Sequence, residues 1–347
     1  MWLVVLLGCG QSGDTAPSHL GASGAAALPV QDAAALDGAS QVSISDASGV
    51  ARADASNRGA LDASSSDAAG TDASARDGGG ARTFPTARTA FGLGGKSRCA
   101  GADVLLCEDF EGATLDAATW TLDTWGTGSA TVDGTRAARG KQSMHINEPS
   151  DVSRVMLRET KTFAITGNHF FGRFFMYLNY TPAQLSCPSG CTNLVHWTAA
   201  AAGGDYLDGA TTYHPDVRAV GAVNQGLLVN LDGGPKPEVS VGDGASAPAG
   251  YQALDASHVG EWMCFEFEYA GEGDAAEVRV WWDGQEHPGL HYSTANRGDK
   301  GELWPIPKYD HLDFGFAHYQ NYGGFVSSFD AWLDEIAVDD ARIGCAL

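Results

Sequence analysis

The residues best suited to chemistry lie together near the end of the chain, within residues 310–345. The cluster consists of His318, Tyr319, Gln320 and Tyr322. In a β-strand, Tyr319 shares its face with the small residues Gly315 and Ala317, which leaves room beneath it for a bound chain. We therefore expect this cluster to face a ligand.

Three other predicted strands carry polar and aromatic side chains on one face and apolar side chains on the other. The apolar faces comprise Val155 and Leu157; Met263, Phe265, Phe267 and Tyr269; and Val278, Val280 and Trp282. The opposite faces comprise Arg154, Met156 and Arg158; Trp262, Glu266 and Glu268; and Arg279 and Trp281. A solvated face would show the charges with fewer aromatics, so this pattern favours a concave sheet that binds saccharides.

The elements that position these side chains are short strands separated by turns rich in Gly, Asp, Asn and Pro. Alternation predicts strands at 104–111, 143–147, 152–160, 169–178, 193–199, 226–231, 261–270, 276–284, 311–319 and 329–338. No convincing helical period appears among them. Many short alternating strands over about 250 residues predict an all-β, antiparallel β-sandwich or jelly roll.

The N-terminal region has a different composition from this β-domain. Only Trp2, Phe84 and Phe91 of the 33 aromatic residues precede residue 96. Ala, Ser, Asp and Gly dominate residues 10–95, which therefore cannot form a core and are expected to be a disordered linker. The folded domain is predicted to span 96–347.

The first nine residues resemble a bacterial lipoprotein signal. The apolar run in MWLVVLLGC ends at Cys9, which would carry the lipid. An ordinary secretory signal is the alternative. Either interpretation predicts an exported protein. A lipid anchor would hold it at a cell surface or outer membrane through a flexible tether.

The charge of the chain excludes one class of partner. The net charge is −22, of which −18 falls in 96–347. A domain this acidic has no electrostatic reason to seek nucleic acid. We expect no nucleic acid partner and no contact with a membrane except through the anchor. A monomer is expected.

Six cysteines remain after Cys9 is set aside: Cys99, Cys107, Cys187, Cys191, Cys264 and Cys345. An even number in an exported chain predicts disulfides. Cys187 and Cys191 could close a small loop, and the other four would tie the start, an inner strand and the end of the domain. Their pairing stays open. A zinc site is the weaker alternative, because a second close pair of Cys or His is lacking.

Four short motifs resemble a known family. They are CEDFEG, ARGKQSMHI, EWMCFEFEY with VRVWWDG, and DEIAVDDARIG, within residues 100–345. They resemble the concanavalin A-like jelly rolls of the polysaccharide lyase-like group. Within that group they are similar to the core domain of the cellulose-induced secreted protein of fungi and its bacterial relatives, which is itself similar to glucuronan lyases.

The resemblance implies a structural calcium ion near the paired first and last strands. The implied ligands are Asp109 or Glu111, an oxygen within 139–143, and Asp330 or Asp334. Calcium takes six to eight oxygen ligands, so carboxylates from distant segments make chemical sense. Solvated strand ends are the alternative interpretation of these acids.

The resemblance also implies β-elimination on an acidic polysaccharide. That reaction needs a group that neutralises the C5 carboxylate, a base for the C5 proton and an acid for the leaving oxygen. The corresponding residues would be Arg158, His196, Tyr319, Gln320 and Tyr322. Arg154, Trp262, Arg279, Trp281 and Trp304 would bind the substrate. Each has a structural alternative, such as a salt bridge for Arg158 or a buried histidine for His196.

Two other functions remain open. A non-catalytic carbohydrate-binding module of the same fold would use Trp262, Trp281 and Trp304 as stacking platforms. A glycoside hydrolase would need two carboxyl groups at a suitable separation, for which Glu266 and Glu268 are the candidates. Because one architecture hosts lectins, lyases and hydrolases, the fold alone does not choose among them.

Overall fold

The computed structural model describes residues 83–112, 114–148, 153–180, 195–223, 226–242, 254, 256–321 and 329–347. In these residues the protein is an antiparallel β-sandwich of fifteen strands with a separate two-stranded hairpin. The described part contains no α-helix. The short 3-10 turns are Arg88–Ala90, Thr166–Asn168, Ala256–His258, Pro288–Leu290 and Gly298–Lys300. The predicted all-β jelly-roll fold is confirmed.

One sheet of the sandwich, here called sheet A, has eight strands. They are β1 (Leu106–Glu108), β3 (Ser129–Asp133), β4 (Ser143–Glu148), β6 (His169–Leu178), β13 (Trp262–Ala270), β14 (Glu277–Trp282), β15 (Gln285–Glu286) and β17 (Phe329–Asp339). Their order is β15-β14-β13-β6-β17-β4-β3, and β1 also pairs with β17. Leu106 lies opposite Val338, so the predicted pairing of the first strand with the last is confirmed.

The second sheet, here called sheet B, has seven strands. They are β2 (Trp120–Trp125), β5 (Ser153–Glu159), β7 (Val195–Gly203), β10 (Asp216–Val223), β11 (Gly226–Asp232), β12 (Val239–Val241) and β16 (His311–Asn321). Their order is β12-β11-β10-β7-β16-β5-β2, and β2 forms one edge. A separate hairpin joins β8 (Tyr206–Asp208) to β9 (Thr211–Tyr213).

The core lies between the two sheets and follows the predicted alternation. The apolar faces predicted for β5, β13 and β14 are all buried in one cluster. Phe174 of sheet A packs on Phe265 of the same sheet and meets Phe314 of sheet B, with ring centroids 5.7 and 5.8 Å apart. Each fully buried phenylalanine contributes roughly 1.5–3 kcal/mol.

The outer face of sheet A is covered by the chain itself. Residues 83–105 and 340–347 lie over part of it, and Phe91 packs 6.4 Å from Phe175. Two disulfides, Cys99–Cys107 and Cys264–Cys345, attach these segments. They confirm that four cysteines tie the start, an inner strand and the end of the domain. Cys9, Cys187 and Cys191 lie outside the described residues.

No helix in the described part of the chain is long and apolar enough to cross a bilayer. The two disulfides agree with an oxidising, extracellular environment. The lipid anchor at Cys9, the disordered linker and the monomeric state stay predictions.

Candidate functional site

The outer face of sheet B carries an open cleft of about 640 Å³, which we call the sheet B cleft. Its lining residues are Arg154, Arg158, Thr160, Gly204, Asp205, His214, Pro215, Asp216, Asp310, His311 and Asp313. They come from β5, β16 and the start of β10, and from the connections around the β8–β9 hairpin. Gly203 makes room for the rim, because a Cβ there would lie 2.5 Å from Cε1 of His311.

Asp313 is the centre of the cleft floor. Its carboxylate is buried and accepts hydrogen bonds from two arginines of the neighbouring strand. Arg158 donates from Nε and Nη2 at 2.8 Å each, and Arg154 donates from Nη2 at 2.6 Å. The hydrogen bond with Asp313 raises the pKa of Arg158 above its ordinary value. Such bidentate, charge-assisted pairs fix the planes of both guanidinium groups.

A second arginine network continues the polar floor across sheet B. Arg218 on β10 donates to Asp216 at 3.0 Å, to Asn230 at 2.7 Å and to Asp232 at 3.2 Å. The strand register aligns the two networks, because Asp313 and Arg218 both lie opposite Ala201 on β7. Across five strands the row therefore reads Arg158, Asp313, Ala201, Arg218 and Asn230, with polar side chains on both sides of one alanine.

The rim at one end of the cleft consists of two histidine–aspartate pairs, in which both aspartates are exposed. His214 Nδ1 lies 2.9 Å from Asp205, and His311 Nδ1 lies 2.5 Å from Asp310. With neutral histidines, the lining contains four aspartates and two arginines, an excess of two negative charges. The cleft therefore does not attract polyanions.

Of the predicted catalytic residues, Arg158 lies in the cleft and His196 does not line it. The register places Arg158 level with Ala201, five residues from His196 on β7 with a bulge between them. At about 3.3 Å per residue, the two are roughly 15 Å apart along the strands. They do not form one catalytic group.

His196 is instead associated with the predicted tyrosine cluster. Its Cα partner on β16 is Gln320, and Tyr319 is the adjacent residue of that strand. The side chains of Tyr319 and Gln320, and all of Tyr322, lie outside the described residues. His196 is buried, and burial together with Arg218 lowers its pKa to about 4. It is therefore neutral near pH 7, as a general base requires.

The predicted substrate-binding residues are divided between the two sheets. Arg154 lies in the sheet B cleft, whereas Trp262, Arg279 and Trp281 belong to sheet A. Trp304 is fully buried in the core, and Trp281 is buried between Phe171 and Arg342. Stacking of a sugar on Trp281 or Trp304 was therefore a wrong prediction, since neither indole face reaches solvent.

Two of the predicted calcium ligands, Asp109 and Glu111, follow β1. Glu111 Oε1 accepts hydrogen bonds from the backbone N–H of Lys141 at 2.6 Å and of Gln142 at 2.9 Å. Asp109 accepts from Ser97 Oγ at 2.5 Å. The described oxygens of both carboxylates are therefore already bound by donors of the protein itself.

The other two, Asp330 and Asp334, lie on β17. Asp330 accepts from Asn147 and Asn179 at 2.9 and 2.8 Å. Asp334 accepts three backbone N–H groups, and burial raises its pKa to about 8. The described residues contain no group of three or more His, Cys, Asp or Glu arranged for a metal. These residues do not fit calcium in this arrangement, so the ion stays a prediction without geometric support.

The candidate glycoside hydrolase pair also lies away from the cleft. Glu266 is fully buried on sheet A and accepts from Arg342 and from the backbone N–H of Ile343 and Gly344. Glu268 is held by His169 at 2.8 Å. Both carboxylates are used to hold covering segments and neighbouring strands, so they do not form a hydrolytic pair.

Three residues of the outer face of sheet B were missed by the sequence analysis: Trp125, Arg218 and Asp313. Asp313 could have been found, because it precedes Phe314 in an alternating run and so faces outward with Arg158. Arg218 lies in a strand that the pattern did not predict. Trp125 ends an edge strand whose apolar residues fall on both faces.

Similarity to known proteins is found among solved structures. No family model matches the chain, and no curated protein matches it. Among solved structures, the chain is similar to the cellulose-induced protein Cip1, with 20% identity and a TM-score of 0.48, over 69% of this chain and 99% of that one. It is also similar to the endo-β-1,4-glucuronan lyase from the fungus Trichoderma reesei, with 12% identity and a TM-score of 0.43, over 68% and 95% of the two chains. Both belong to the group that the sequence motifs resemble.

Proposed function

We propose that this protein binds a polysaccharide along the outer face of sheet B. The observation that carries the proposal is the open cleft of about 640 Å³ whose floor is the Arg154–Asp313–Arg158 arrangement. A cleft open along a sheet suits an extended chain, which can enter and leave at the ends.

The floor offers what sugar hydroxyls require. Each hydroxyl both donates and accepts a hydrogen bond, and the cleft presents guanidinium donors beside carboxylate acceptors. Because Asp313 already fixes both arginines, little side-chain entropy is lost when a ligand binds. The exposed carboxylates of Asp205 and Asp310 add acceptors at the rim.

The charge of the cleft favours a neutral or aminated polysaccharide. Asp205, Asp216, Asp310 and Asp313 outnumber the two arginines of the lining, and both arginines are already paired with Asp313. The acidic polysaccharide expected from the sequence therefore gains no electrostatic support here and stays a prediction.

A polysaccharide lyase is the second candidate. The observation in its favour is His196, a buried histidine that is neutral near pH 7. It pairs across the strands with Gln320, the residue that follows Tyr319 on β16. In β-elimination, a base removes the C5 proton, the C4–O bond breaks with protonation of the leaving oxygen, and a C4–C5 double bond forms. Arg158 lies too far along the sheet to neutralise the carboxylate beside such a base.

Binding is tested with the full chain and three oligosaccharides: cellohexaose, chitosan hexamer and glucuronan hexamer. Calorimetry should show binding to the first or second in preference to the third. In the double variant Asp205→Ala/Asp310→Ala, affinity should fall about tenfold, or about 1.4 kcal/mol, because two rim acceptors are lost. Asp103→Ala, an exposed aspartate beside β1 on the other sheet, is the matched control and should bind like the native chain.

The results separate the candidates. No binding to any oligosaccharide, or equal affinities for the rim variant and the control, would contradict the proposal. A rise in ultraviolet absorbance from an unsaturated uronate product, on glucuronan, alginate or pectate and absent in His196→Ala, would establish the lyase instead.

A further inference from the structure

The outer face of sheet B continues beyond the cleft to its β2 edge, where a tryptophan is exposed. Trp125 is 42% exposed, the largest exposed aromatic side chain among the described residues. The other tryptophans that the structure describes are buried or half-buried in the core or under the covering segments. A single exposed apolar side chain is common on protein surfaces, so the case for a ligand rests on the groups that lie beside the indole.

The strand register shows which face Trp125 occupies. On β2, Thr121 lies opposite Arg158, and Trp125 lies opposite Arg154. Alternate residues of a strand share a face, so Trp125 is on the same side of sheet B as the two arginines of the cleft. The indole thus extends the cleft floor by one strand.

A charged pair flanks the indole on this face. Asp123, two residues earlier on β2, accepts a hydrogen bond from Arg154 Nε at 2.7 Å. Arg154 also binds Asp313 at 2.6 Å, so one guanidinium joins the edge strand to the centre of the cleft. An apolar platform beside a fixed donor and a fixed acceptor is therefore present at the edge.

We infer that Trp125 is a stacking platform for one pyranose ring, and that Asp123 and Arg154 bind the hydroxyls at the edge of that ring. The inference rests on the proposed polysaccharide function and extends the binding surface by one subsite. The chemistry selects β-linked pyranoses with equatorial hydroxyls, because only their two ring faces present C–H groups to an indole while the hydroxyls point sideways. Aromatic platforms combined with a few placed polar groups are the usual composition of ligand sites.

An exposed edge strand can also pair with a second copy of the chain, and Leu122 is exposed on β2 as well. Self-association is therefore an outcome that the experiment must detect.

The experiment measures binding of the full chain to cellohexaose and chitosan hexamer by calorimetry in three variants. Trp125→Ala should weaken binding about tenfold, whereas Trp125→Phe, which keeps an aromatic face, should stay within about threefold of the native affinity. Leu105→Ala is the matched control, since Leu105 is 40% exposed beside sheet A. It should bind like the native chain. The thermal midpoints of all three should stay close to the native value, which separates a binding role from a structural one.

Native affinity in Trp125→Ala would overturn this inference and leave the proposed function standing. Loss of a dimer on sedimentation of Trp125→Ala would assign the β2 edge to self-association instead. If the native chain binds none of cellohexaose, chitosan hexamer and glucuronan hexamer, both the proposed function and this inference fail.

Discussion

The two outer faces of the sandwich use the same residue types for different purposes. On sheet A, Arg173 and Glu266 are fully buried beneath the covering segments. On sheet B, Arg154, Arg158 and Asp313 form a similar charged group, but it opens into a cleft. The difference is the cover, since residues 83–105 and 340–347 lie over part of sheet A, whereas the cleft on sheet B is accessible.

The cover changes the chemistry of the arginines. Arg173 is fully buried, and burial lowers its pKa to about 10. Its Nη1 lies 3.9 Å from Glu335, and none of its three nitrogens has a hydrogen-bond partner among the described residues. Arg158, by contrast, is half-exposed and bound to Asp313 through two nitrogens. Charges on sheet A hold the fold together, while those on sheet B can reach a ligand.

A local irregularity on β17 directs the acids of sheet A into the cover. The register shifts between Asp334 and Ala337, and Glu335 adopts a positive φ of 50°. This bulge turns two consecutive acids to the same side. Asp334 accepts the backbone N–H of Ala138, and Glu335 accepts that of Arg98. Glu335 thus binds the covering segment, and Asp334 binds the β3–β4 connection, each through a backbone N–H group.

The largest expected effect comes from removing the disulfide that closes the cover. Cys264 and Cys345 are 81 residues apart, and Cys99 and Cys107 are 8 apart. In the chain-entropy model, the longer loop contributes about 4.5 kcal/mol and the shorter about 2.6 kcal/mol. The double variants to Ala should lower the free energy of unfolding in this order, measured by urea denaturation. Equal losses from the two pairs would contradict the role of the long loop in holding the cover.

The second expected effect is a loss of the free energy of unfolding that is larger for a buried arginine than for a partly exposed one. Arg139 is fully buried and donates to Glu335 at 2.8 Å and to the carbonyl oxygen of Cys345 at 2.7 Å. Arg139→Met leaves Glu335 buried without this partner, so the free energy of unfolding should fall by about 4 kcal/mol.

Arg279→Met is the matched control on the same sheet. Arg279 is partly exposed and pairs with Glu277 at 2.9 Å. Its loss should cost less than about 1 kcal/mol in the same urea experiment. Similar losses for the two variants would mean that burial does not set the value of these charges.

Alternation alone predicted much of the fold, because side chains in a sandwich follow a strict period of two. The predicted and observed bounds of β6 coincide at His169–Leu178. The strands that were missed break the period. β10 contains bulges on both sides of Val220, and β2 is an edge strand on which both Leu122 and Trp125 are exposed.

The site was harder to predict, because alternation shows which residues share a face and not which face is covered. Arg154 and Arg158 were assigned to the ligand face and line the cleft. Trp281 also lies on an outer face, but Ile343 and Arg342 of the C-terminal segment cover it. That cover depends on contacts between residues far apart in the chain, which no local pattern contains.

The third expected effect is a pH dependence carried by His196 on sheet B. Burial and Arg218 lower its pKa to about 4, while Asp232 opposes this and His318 adds to it. In the unfolded chain its pKa is about 6.5. Above pH 6.5 the imidazole is neutral in both states, so this contribution is fully present, and it is lost as the pH falls from 6.5 through 4. The free energy of unfolding contributed by this histidine therefore falls by about 3 kcal/mol over that range.

Urea denaturation of the native chain and of His196→Gln at several pH values should show a steeper loss of the free energy of unfolding in the native chain as the pH falls. His214→Gln changes an exposed histidine in the connection before β10 and should follow the native curve. Parallel curves for the native chain and His196→Gln would contradict the prediction.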